Sequence, residues 1–297
     1  MTNRALLAFA LLGVGLLPPA APALEVSGTY RIENLAFRSD REASDVSFSG
    51  DEFPMGFSLG IRHTSQQELA MEAEYVYDAV LRNIATGLVT YRGNLFSFGV
   101  GPFLGFLNTE QLWPKVGIAS VFKVEWPGAA FVQLWLDNSS GNRLSDEGDY
   151  LQERNNLSLG FYVPNAICSL NVANKRFVEK TDTAEIADTM TAYSLAVDIY
   201  QKNVPFKIVV TFGLQRLCRE FEETADTTTH TLYSIIFGTR FDMRLSQLVS
   251  IMIDLDSSIY TWGQDELLGL SNPGTYLFRA VAGVTVDAGR LLASASR

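Results

Sequence analysis

Apolar and polar residues alternate along the chain between Thr229 and Trp262. The apolar positions are Tyr233, Ile235, Phe237, Phe241, Met243, Leu245, Val249, Ile251, Ile253, Leu255 and Ile259. The positions between them include Ser234, Gly238, Arg240, Asp242, Arg244, Ser250, Asp254, Asp256 and Ser258. A period of two is typical of strands with one apolar and one polar face. The break at residues 245–248 is short enough for a hairpin turn, so this segment predicts two long antiparallel strands.

The same alternation predicts 12 further strands along the chain. They are Val26–Phe37, Phe53–His63, Glu68–Asn83, Ala85–Arg92, Leu95–Leu107, Lys115–Trp126, Ala129–Asp137, Tyr150–Val163, Ala166–Val178, Thr191–Lys202, Phe206–Phe221 and Tyr276–Ala288. The Ala85–Arg92 segment is the weakest of the set. With it the count is 14 and longer connections alternate with shorter ones, whereas merging short segments would give 12.

A soluble sheet can also have one apolar and one polar face, but here charged side chains lie in mid-strand on the polar face and the pattern recurs along most of the chain. No later segment has the roughly 18 unbroken apolar residues of a membrane helix. We therefore predict an all-β fold, a transmembrane antiparallel up-and-down β-barrel with lipid outside and a polar lumen inside. The alternating connections predict short periplasmic turns and long extracellular loops. A soluble β-sandwich or propeller is the alternative fold.

The beginning of the chain has the features of an export signal. Arg4 precedes an apolar run from Ala5 to Leu17, and Ala21-Pro22-Ala23 fits a small-residue cleavage site. The predicted division is a signal peptide at residues 1–23 and a barrel at residues 24–297. An exported chain of amphipathic strands indicates the outer membrane of a diderm bacterium. The first strand begins so soon after the cleavage site that no N-terminal plug is expected, although a folded-in loop could form one.

Composition excludes several other functions. The net charge is −10, which argues against binding to nucleic acid. Cys168 and Cys218 are predicted on strands that are not neighbours, too far apart for the Cα separation of under about 7 Å that a disulfide needs. The sequence contains no phosphate-binding loop, zinc spacing or dinucleotide fingerprint, so no cofactor or metal is expected.

The inward-facing charges are the candidate lumen-lining residues. They are Glu72, Glu74, Asp78, Lys207, Arg219, Arg240, Asp242, Arg244, Asp254, Asp256 and Arg279. In a 14-membered ring the acidic strand at 72–78 would lie opposite the basic strands, and this would create a transverse field across the bore. In the alternative interpretation these charges pair with neighbours, for example Arg240 and Arg244 with Asp254 and Asp256.

The mature chain resembles monomeric 14-stranded outer-membrane channels in length, strand count and lack of a plug. Fatty-acid transporters of similar strand number also resemble it, but they usually carry an N-terminal hatch. The resemblance rests on architecture alone. It implies a porin-like, non-enzymatic channel that carries small hydrophilic solutes or ions across outer-membrane lipid. It also implies a monomer rather than a trimer. The alternative is a non-conducting adhesin or structural barrel whose acidic extracellular loops bind an extracellular ligand.

An enzyme at the barrel rim is a third possibility in the sequence. Surface protease barrels need Asp and His together at the outer rim, and Asp226 and His230 are predicted at an outer strand end. Their spacing is generic and no second acidic pair accompanies them, so a solvated rim histidine is the simpler interpretation.

Overall fold

A computed structural model describes residues 24–39, 46–49, 55–64, 68–106, 115–139, 149–180, 184–200, 204–223, 226–263 and 276–295. The predicted signal peptide lies outside these residues. So do most of the predicted acidic loops at 38–52, 138–149 and 263–275.

The described chain is built almost entirely of strands. They are β1 Leu24–Glu33, β2 Leu35–Ser39, β3 Val46–Ser49, β4 Met55–Thr64, β5 Leu69–Asp78, β6 Arg82–Arg92, β7 Phe96–Phe106, β8 Lys115–Trp126, β9 Ala130–Ser139, β10 Tyr150–Val163, β11 Ala166–Lys180, β12 Ala184–Tyr200, β13 Phe206–Glu223, β14 Asp226–Arg244, β15 Val249–Gly263 and β16 Phe278–Asp287. One helix, α1 Ala288–Ala295, follows β16. Within the described ranges no helix is long and apolar enough to cross a membrane.

Fourteen of the strands form a closed antiparallel ring. Every strand from β4 to β16 pairs with its neighbour in sequence, and β1 closes the ring by pairing with both β4 and β16. Val26, for example, has Ile61 as its partner on one side and Val286 on the other. The short strands β2 and β3 form a separate hairpin. The predicted 14-stranded barrel is confirmed, and the weakest predicted strand is present as β6.

The exterior of the barrel is a continuous apolar belt. Outward side chains from all sides of the ring are between 37% and 64% exposed, among them Phe57, Leu59, Phe98, Val100, Ile118, Phe122, Leu157, Leu170, Leu195, Phe212, Phe241, Ile253 and Val284. Soluble monomers rarely expose an apolar patch of more than a few hundred Å². A closed ring also leaves no unpaired strand edge, which is the condition for placing a sheet in hydrocarbon.

The barrel has two different ends. The turn end carries the connections at 93–95, 127–129, 164–165 and 245–248, together with Leu24 and helix α1. The loop end carries the longer connections that precede β4, β8, β10 and β16. At the loop end, however, β5 and β6 are separated by three residues, β11 and β12 by three, and β13 and β14 by two. The predicted alternation of long and short connections is therefore wrong at these three places.

Five strands project beyond the apolar belt at the loop end. β10 to β14 have 14, 15, 17, 18 and 19 residues, and they include most of the segments predicted as loops at 181–188 and 222–229. Those loop predictions are wrong because strands that have left the lipid no longer need an apolar face. Their polar residues, such as Thr189 and Thr229, resemble loop composition while the backbone ladder continues. We call residues 150–156, 174–180, 184–192, 215–223 and 226–234 the projecting sheet.

The chain ends in a helix rather than a longer strand. The sequence predicted a last strand at Tyr276–Ala288. β16 ends at Asp287, whose Oδ1 accepts a hydrogen bond from the backbone N–H of Arg290. This contact caps the first turn of α1, so the helix begins where the ladder stops.

Replacing Gly101 with alanine should destabilise the barrel. A Cβ at this position would overlap the carbonyl oxygen of Gly87, at the place where the β6–β7 ladder is interrupted. Because the obstacle is backbone, we expect a loss of about 1–3 kcal/mol in the free energy of unfolding. Urea unfolding in detergent micelles measures this change. Gly28→Ala is the control, since its Cβ would meet only Leu59 Cδ2 at 3.7 Å. Equal losses for both variants would contradict the close-approach argument.

Candidate functional site in the barrel lumen

The turn-end half of the lumen is lined by charged side chains that contact water. They come from inward positions on strands around the ring and include Arg62, Glu72, Arg92, Lys123, Glu125, Asp198, Lys207, Arg240, Asp242, Arg244 and Asp254. We call this half the vestibule. The side chains of Arg62 and Arg240 are 47% and 48% exposed. Charges this accessible retain much of their hydration, so they do not need to be fully compensated by ion pairs.

Most vestibule charges pair locally along the wall. Glu72 Oε1 lies 2.9 Å from Arg62 Nε and 3.3 Å from Arg92 Nη2. Lys207 Nζ lies 2.6 Å from Asp198 Oδ2 on the neighbouring strand. These contacts favour local pairing over the transverse field, because the acidic residue at 72 already has two basic partners.

The ion pairs on β14 to β16 differ from the local pairs that the sequence suggested for these strands. Arg240 Nη2 lies 2.9 Å from Asp242 Oδ1 on its own strand. Arg279 takes the two carboxylates of β15, with Nη2 3.2 Å from Asp254 Oδ2 and in contact with Asp256. Arg244 Nε donates to the carbonyl oxygen of Ser246 at 3.2 Å. The predicted pairing of Arg240 and Arg244 with Asp254 and Asp256 is therefore not the one formed.

The loop-end half of the lumen is closed by the connection between β5 and β6. Residues 78–82, which we call the plug turn, fold into the bore, and Val80 and Leu81 are 1% and 0% exposed. Asp78 Oδ1 accepts hydrogen bonds from the backbone N–H groups of Val80 at 3.0 Å and Leu81 at 3.1 Å. Arg82 then adopts a left-handed backbone conformation with φ of 63°. These contacts make a tight turn that directs two aliphatic side chains inward.

The plug turn packs against apolar side chains from opposite walls. The buried cluster contains Val76, Val80, Leu81, Ile84, Leu88, Phe103, Ala119, Val121, Leu217, Leu232 and Leu277. Ile84 lies on β6 and Leu217 on β13, and in the ring of 14 these strands are seven apart in either direction. An apolar cluster that reaches both walls fills the cross-section of the bore at this level.

Two ion pairs cross the bore beside this cluster. Asp78 at the end of β5 contacts Lys175 Nζ on β11, and Arg31 Nη1 lies 3.6 Å from Asp78 Oδ2. Arg82 Nη2 on β6 lies 3.7 Å from Asp188 Oδ2 on β12. In each cross-bore pair the two strands are six apart around the ring. The plug turn is thus attached to the far wall by charge.

Further contacts hold the far wall to the plug turn. Asp188 accepts two hydrogen bonds from Arg219, from Nε at 2.6 Å and Nη2 at 2.7 Å. The Arg82 guanidinium lies over the ring of Phe177, 5.3 Å from its centroid. Gln152 Nε2 on β10 donates a hydrogen bond to the carbonyl oxygen of Leu81. The charged groups that enter this apolar level therefore have partners, as buried charges require, whereas Gln152 Oε1 has no hydrogen-bond partner among the described residues.

The structure brings the predicted lumen residues into two groups. Asp78 and Arg219 belong to the closed loop-end half, and Glu74 Oε2 lies 3.9 Å from Arg154 Nη1 near its base. Asp256 and Arg279 are in register with Glu33 at the loop end of β1, and the other predicted residues line the vestibule. Sequence reasoning did not select Lys175, Arg82 or Asp188. Lys175 and Arg82 had no signal except an inward register, which does not report a partner on the opposite wall, and Asp188 lay in the segment predicted as a loop at 181–188.

Other predicted features can be located as well. Cys168 and Cys218 are both free and lie on β11 and β13, which are separated by β12. His230 pairs in register with Arg219, and Asp226 stands four residues earlier on the same strand. Positions four apart on a strand are separated by about 13 Å, too far for a direct hydrogen bond. No cluster suited to a metal ion occurs among the residues that the structure describes.

Comparison with known proteins returns barrels of the outer membrane. No family model and no curated protein sequence matches the chain. Solved structures similar to it include an outer membrane channel from Pseudomonas putida F1, 11% identical, with 91% of this chain and 96% of that chain covered and a TM-score of 0.47. A loop-deletion mutant of OmpT, an outer membrane protein of Vibrio cholerae, is 12% identical, with 89% of this chain and 98% of that chain covered and a TM-score of 0.41. The translocator domain of the autotransporter NalP from Neisseria meningitidis is 10% identical, with 96% of this chain and 95% of that chain covered and a TM-score of 0.41.

Removing the carboxylate at the far wall should weaken the barrel more than removing a vestibule charge. Asp188→Asn removes the charged carboxylate that accepts two hydrogen bonds from the buried Arg219, and we expect a loss of about 3 kcal/mol in the free energy of unfolding. Lys207→Met breaks a pair whose lysine is 42% exposed, and should cost less than about 1 kcal/mol. Urea unfolding of both variants in the same micelles compares the two losses. A larger loss for Lys207→Met would contradict the assignment of the buried network.

Proposed function

We propose that this protein is an outer-membrane channel for small hydrophilic solutes or ions, and that the described conformation is its closed state. The observation that carries the proposal is the plug turn, which lies across a lumen whose other half is a charged vestibule. A permanently sealed barrel gains nothing from a hydrated, charged half-lumen. A channel uses such charges to replace the hydration of a passing solute.

The plug turn has the properties of a removable element. It is part of one hairpin, and its attachment to the far wall consists of two ion pairs, a hydrogen bond from Gln152 and apolar packing. Arg82 holds a left-handed conformation that costs a non-glycine residue roughly 1–2 kcal/mol. Strain of this kind is found at switch regions, where surrounding contacts maintain it. Loss of those contacts would favour withdrawal of the turn from the bore.

The proposed cellular setting follows from the exterior of the barrel. The apolar belt fits a lipid bilayer, and residues 1–23 fit an export signal, so we place the chain in the outer membrane of a diderm bacterium. The loop end faces outward and the turn end, with the opening of the vestibule, faces the periplasm. A monomer suffices, because the ring closes within a single chain.

A second candidate function is a non-conducting surface barrel. The filled cross-section and the projecting sheet favour this alternative, because a scaffold needs a rigid outer surface and no pore. The two functions differ in one property. The plug turn of a channel can leave the bore, whereas the filling of a scaffold is permanent.

Breaking the cross-bore ion pair should open the channel. We expect Lys175→Met to raise the open probability at least tenfold over the wild type, which corresponds to about 1.4 kcal/mol against the closed state. Single-channel recording in a planar lipid bilayer measures this quantity. Lys207→Met is the matched control, because it removes a lysine whose ion pair stays on one wall. The control should leave the open probability unchanged.

The same recording separates the two candidate functions. Gel migration that changes on heating first establishes that each variant is folded. If the folded Lys175→Met and Asp78→Asn variants both insert and neither conducts, the channel proposal is wrong and the scaffold function is correct.

Charge changes in the vestibule should alter ion selectivity in the opened channel. In the Lys175→Met background, Glu72→Gln leaves Arg62 and Arg92 without their shared carboxylate. We expect the reversal potential in a salt gradient to move toward anion selectivity. Arg62→Gln should move it in the opposite direction. Identical reversal potentials in all three channels would show that ions do not pass along this wall.

A further inference from the structure

An apolar groove runs along the lipid-facing side of β10 to β13. It has a volume of about 400 Å³ and its walls include Leu157, Val172, Tyr193, Leu195, Phe212 and Leu214. Leu157, Val172, Tyr193 and Leu214 are neighbours in register across the four strands, so they form one row around the barrel. Ligand pockets in proteins span roughly 300–1,000 Å³, and a groove of this size can hold part of an acyl chain.

The apolar surface ends abruptly on the loop-end side of this row. The next outward row consists of Asn155, Asn174, Thr191 and Arg216, and the row after it contains Arg176 opposite Thr189. The first polar row also contains Tyr233 and Trp262, whose rings stack with centroids 5.5 Å apart. Outward aromatic residues mark the level of the lipid headgroups on membrane barrels. The groove therefore lies in the hydrocarbon and its polar margin lies at the membrane surface.

Arg176 and Arg216 lie at this margin as exposed arginines without a carboxylate partner among the described residues. The arginines inside the barrel, such as Arg154 and Arg219, instead contact carboxylates. Arg176 and Arg216 are two strands apart and two residues out of register, which separates their Cα atoms by about 12 Å on the sheet surface. They are available to bind anions.

Nearby acidic side chains do not neutralise this margin. Glu153 is the cross-strand partner of Arg176, but its Oε1 accepts a hydrogen bond from Asn138 Nδ2 at 2.9 Å. Arg216 Nη2 donates a hydrogen bond to Cys218 Sγ at 3.7 Å, and Glu220 Oε1 lies 3.9 Å from the same sulfur on its other side, so Arg216 and Glu220 form no direct ion pair. Two guanidinium groups thus face the headgroup level beside uncharged Asn174 and Thr191.

We propose that this surface is a specific site for a phosphorylated glycolipid of the outer leaflet. One acyl chain lies in the groove, and phosphate groups of the headgroup accept paired hydrogen bonds from Arg216 and Arg176. Arginine binds phosphate in a bidentate manner, and the neutral Asn174 and Thr191 can bond to sugar hydroxyls. Assignment to the outer leaflet rests on the proposed orientation, with the loop end outward.

Native mass spectrometry of the folded protein in detergent tests this site. The added probe is a diphosphorylated glycolipid of the outer-membrane type, and phosphatidylglycerol and the dephosphorylated glycolipid are added in parallel. We expect the wild type to retain the diphosphorylated glycolipid in preference to both others. The Arg176→Gln and Arg216→Gln double variant should lose at least tenfold in apparent affinity for it. The Lys180→Gln variant is the matched control, because it removes an outward charge four residues farther along β11 and should bind like the wild type.

A second variant examines the groove separately. Leu214→Trp fills the groove at a lipid-facing position, where a larger apolar side chain does not disturb the interior. It should weaken glycolipid retention while leaving the two arginines in place. Equal retention by the wild type and the arginine double variant would overturn the site. Equal retention of phosphatidylglycerol by the wild type would overturn its assignment to the outer-leaflet glycolipid. The conductance of the Lys175→Met channel is measured independently, so failure of the channel proposal and failure of this site are distinguishable.

Discussion

The hydrogen-bonded ring of backbone groups is the constraint on which the rest of this structure depends. In hydrocarbon an unpaired N–H or C=O group costs several kcal/mol, so a sheet can lie there only when its first and last strands pair. β1 meets this condition by pairing with β4 on one side and β16 on the other. Once the ring is closed, strand geometry assigns every residue to one of two faces. The apolar belt and the polar interior both follow from this assignment.

The interior shows how a barrel can hold many charges at acceptable cost. In the vestibule the side chains keep part of their hydration, and local ion pairs on the wall are sufficient. At the loop end water is excluded, and there Asp188 is held by Arg219 through two hydrogen bonds while Asp78 is held by two cations. The pairing of these buried charges agrees with the penalty for transferring ions from water to a medium of low dielectric constant.

Sequence reasoning predicted the ring well because the period of two is a local property. Each strand reveals its own two faces, and the count of 14 then follows by addition. The plug turn could not be predicted in this way, because Lys175 and Asp78 are joined across six strands and alternation does not report which inward residues meet. The loop predictions at 181–188 and 222–229 were wrong for a different reason. Outside the lipid, a strand that keeps its ladder needs no apolar face, so its composition resembles that of a loop.

The unequal height of the walls explains where the bore is closed. β6 and β7 have 11 residues each and end near the edge of the membrane, whereas β13 and β14 have 18 and 19 and continue beyond it. A connection on the short wall can therefore fold inward and meet inward side chains of the tall wall, such as Leu217 and Leu232, above the level of the vestibule. The projecting sheet thus has a second role in addition to being an outer surface. It supplies the wall against which the plug turn closes, and movement of either part relative to the other would change the width of the bore.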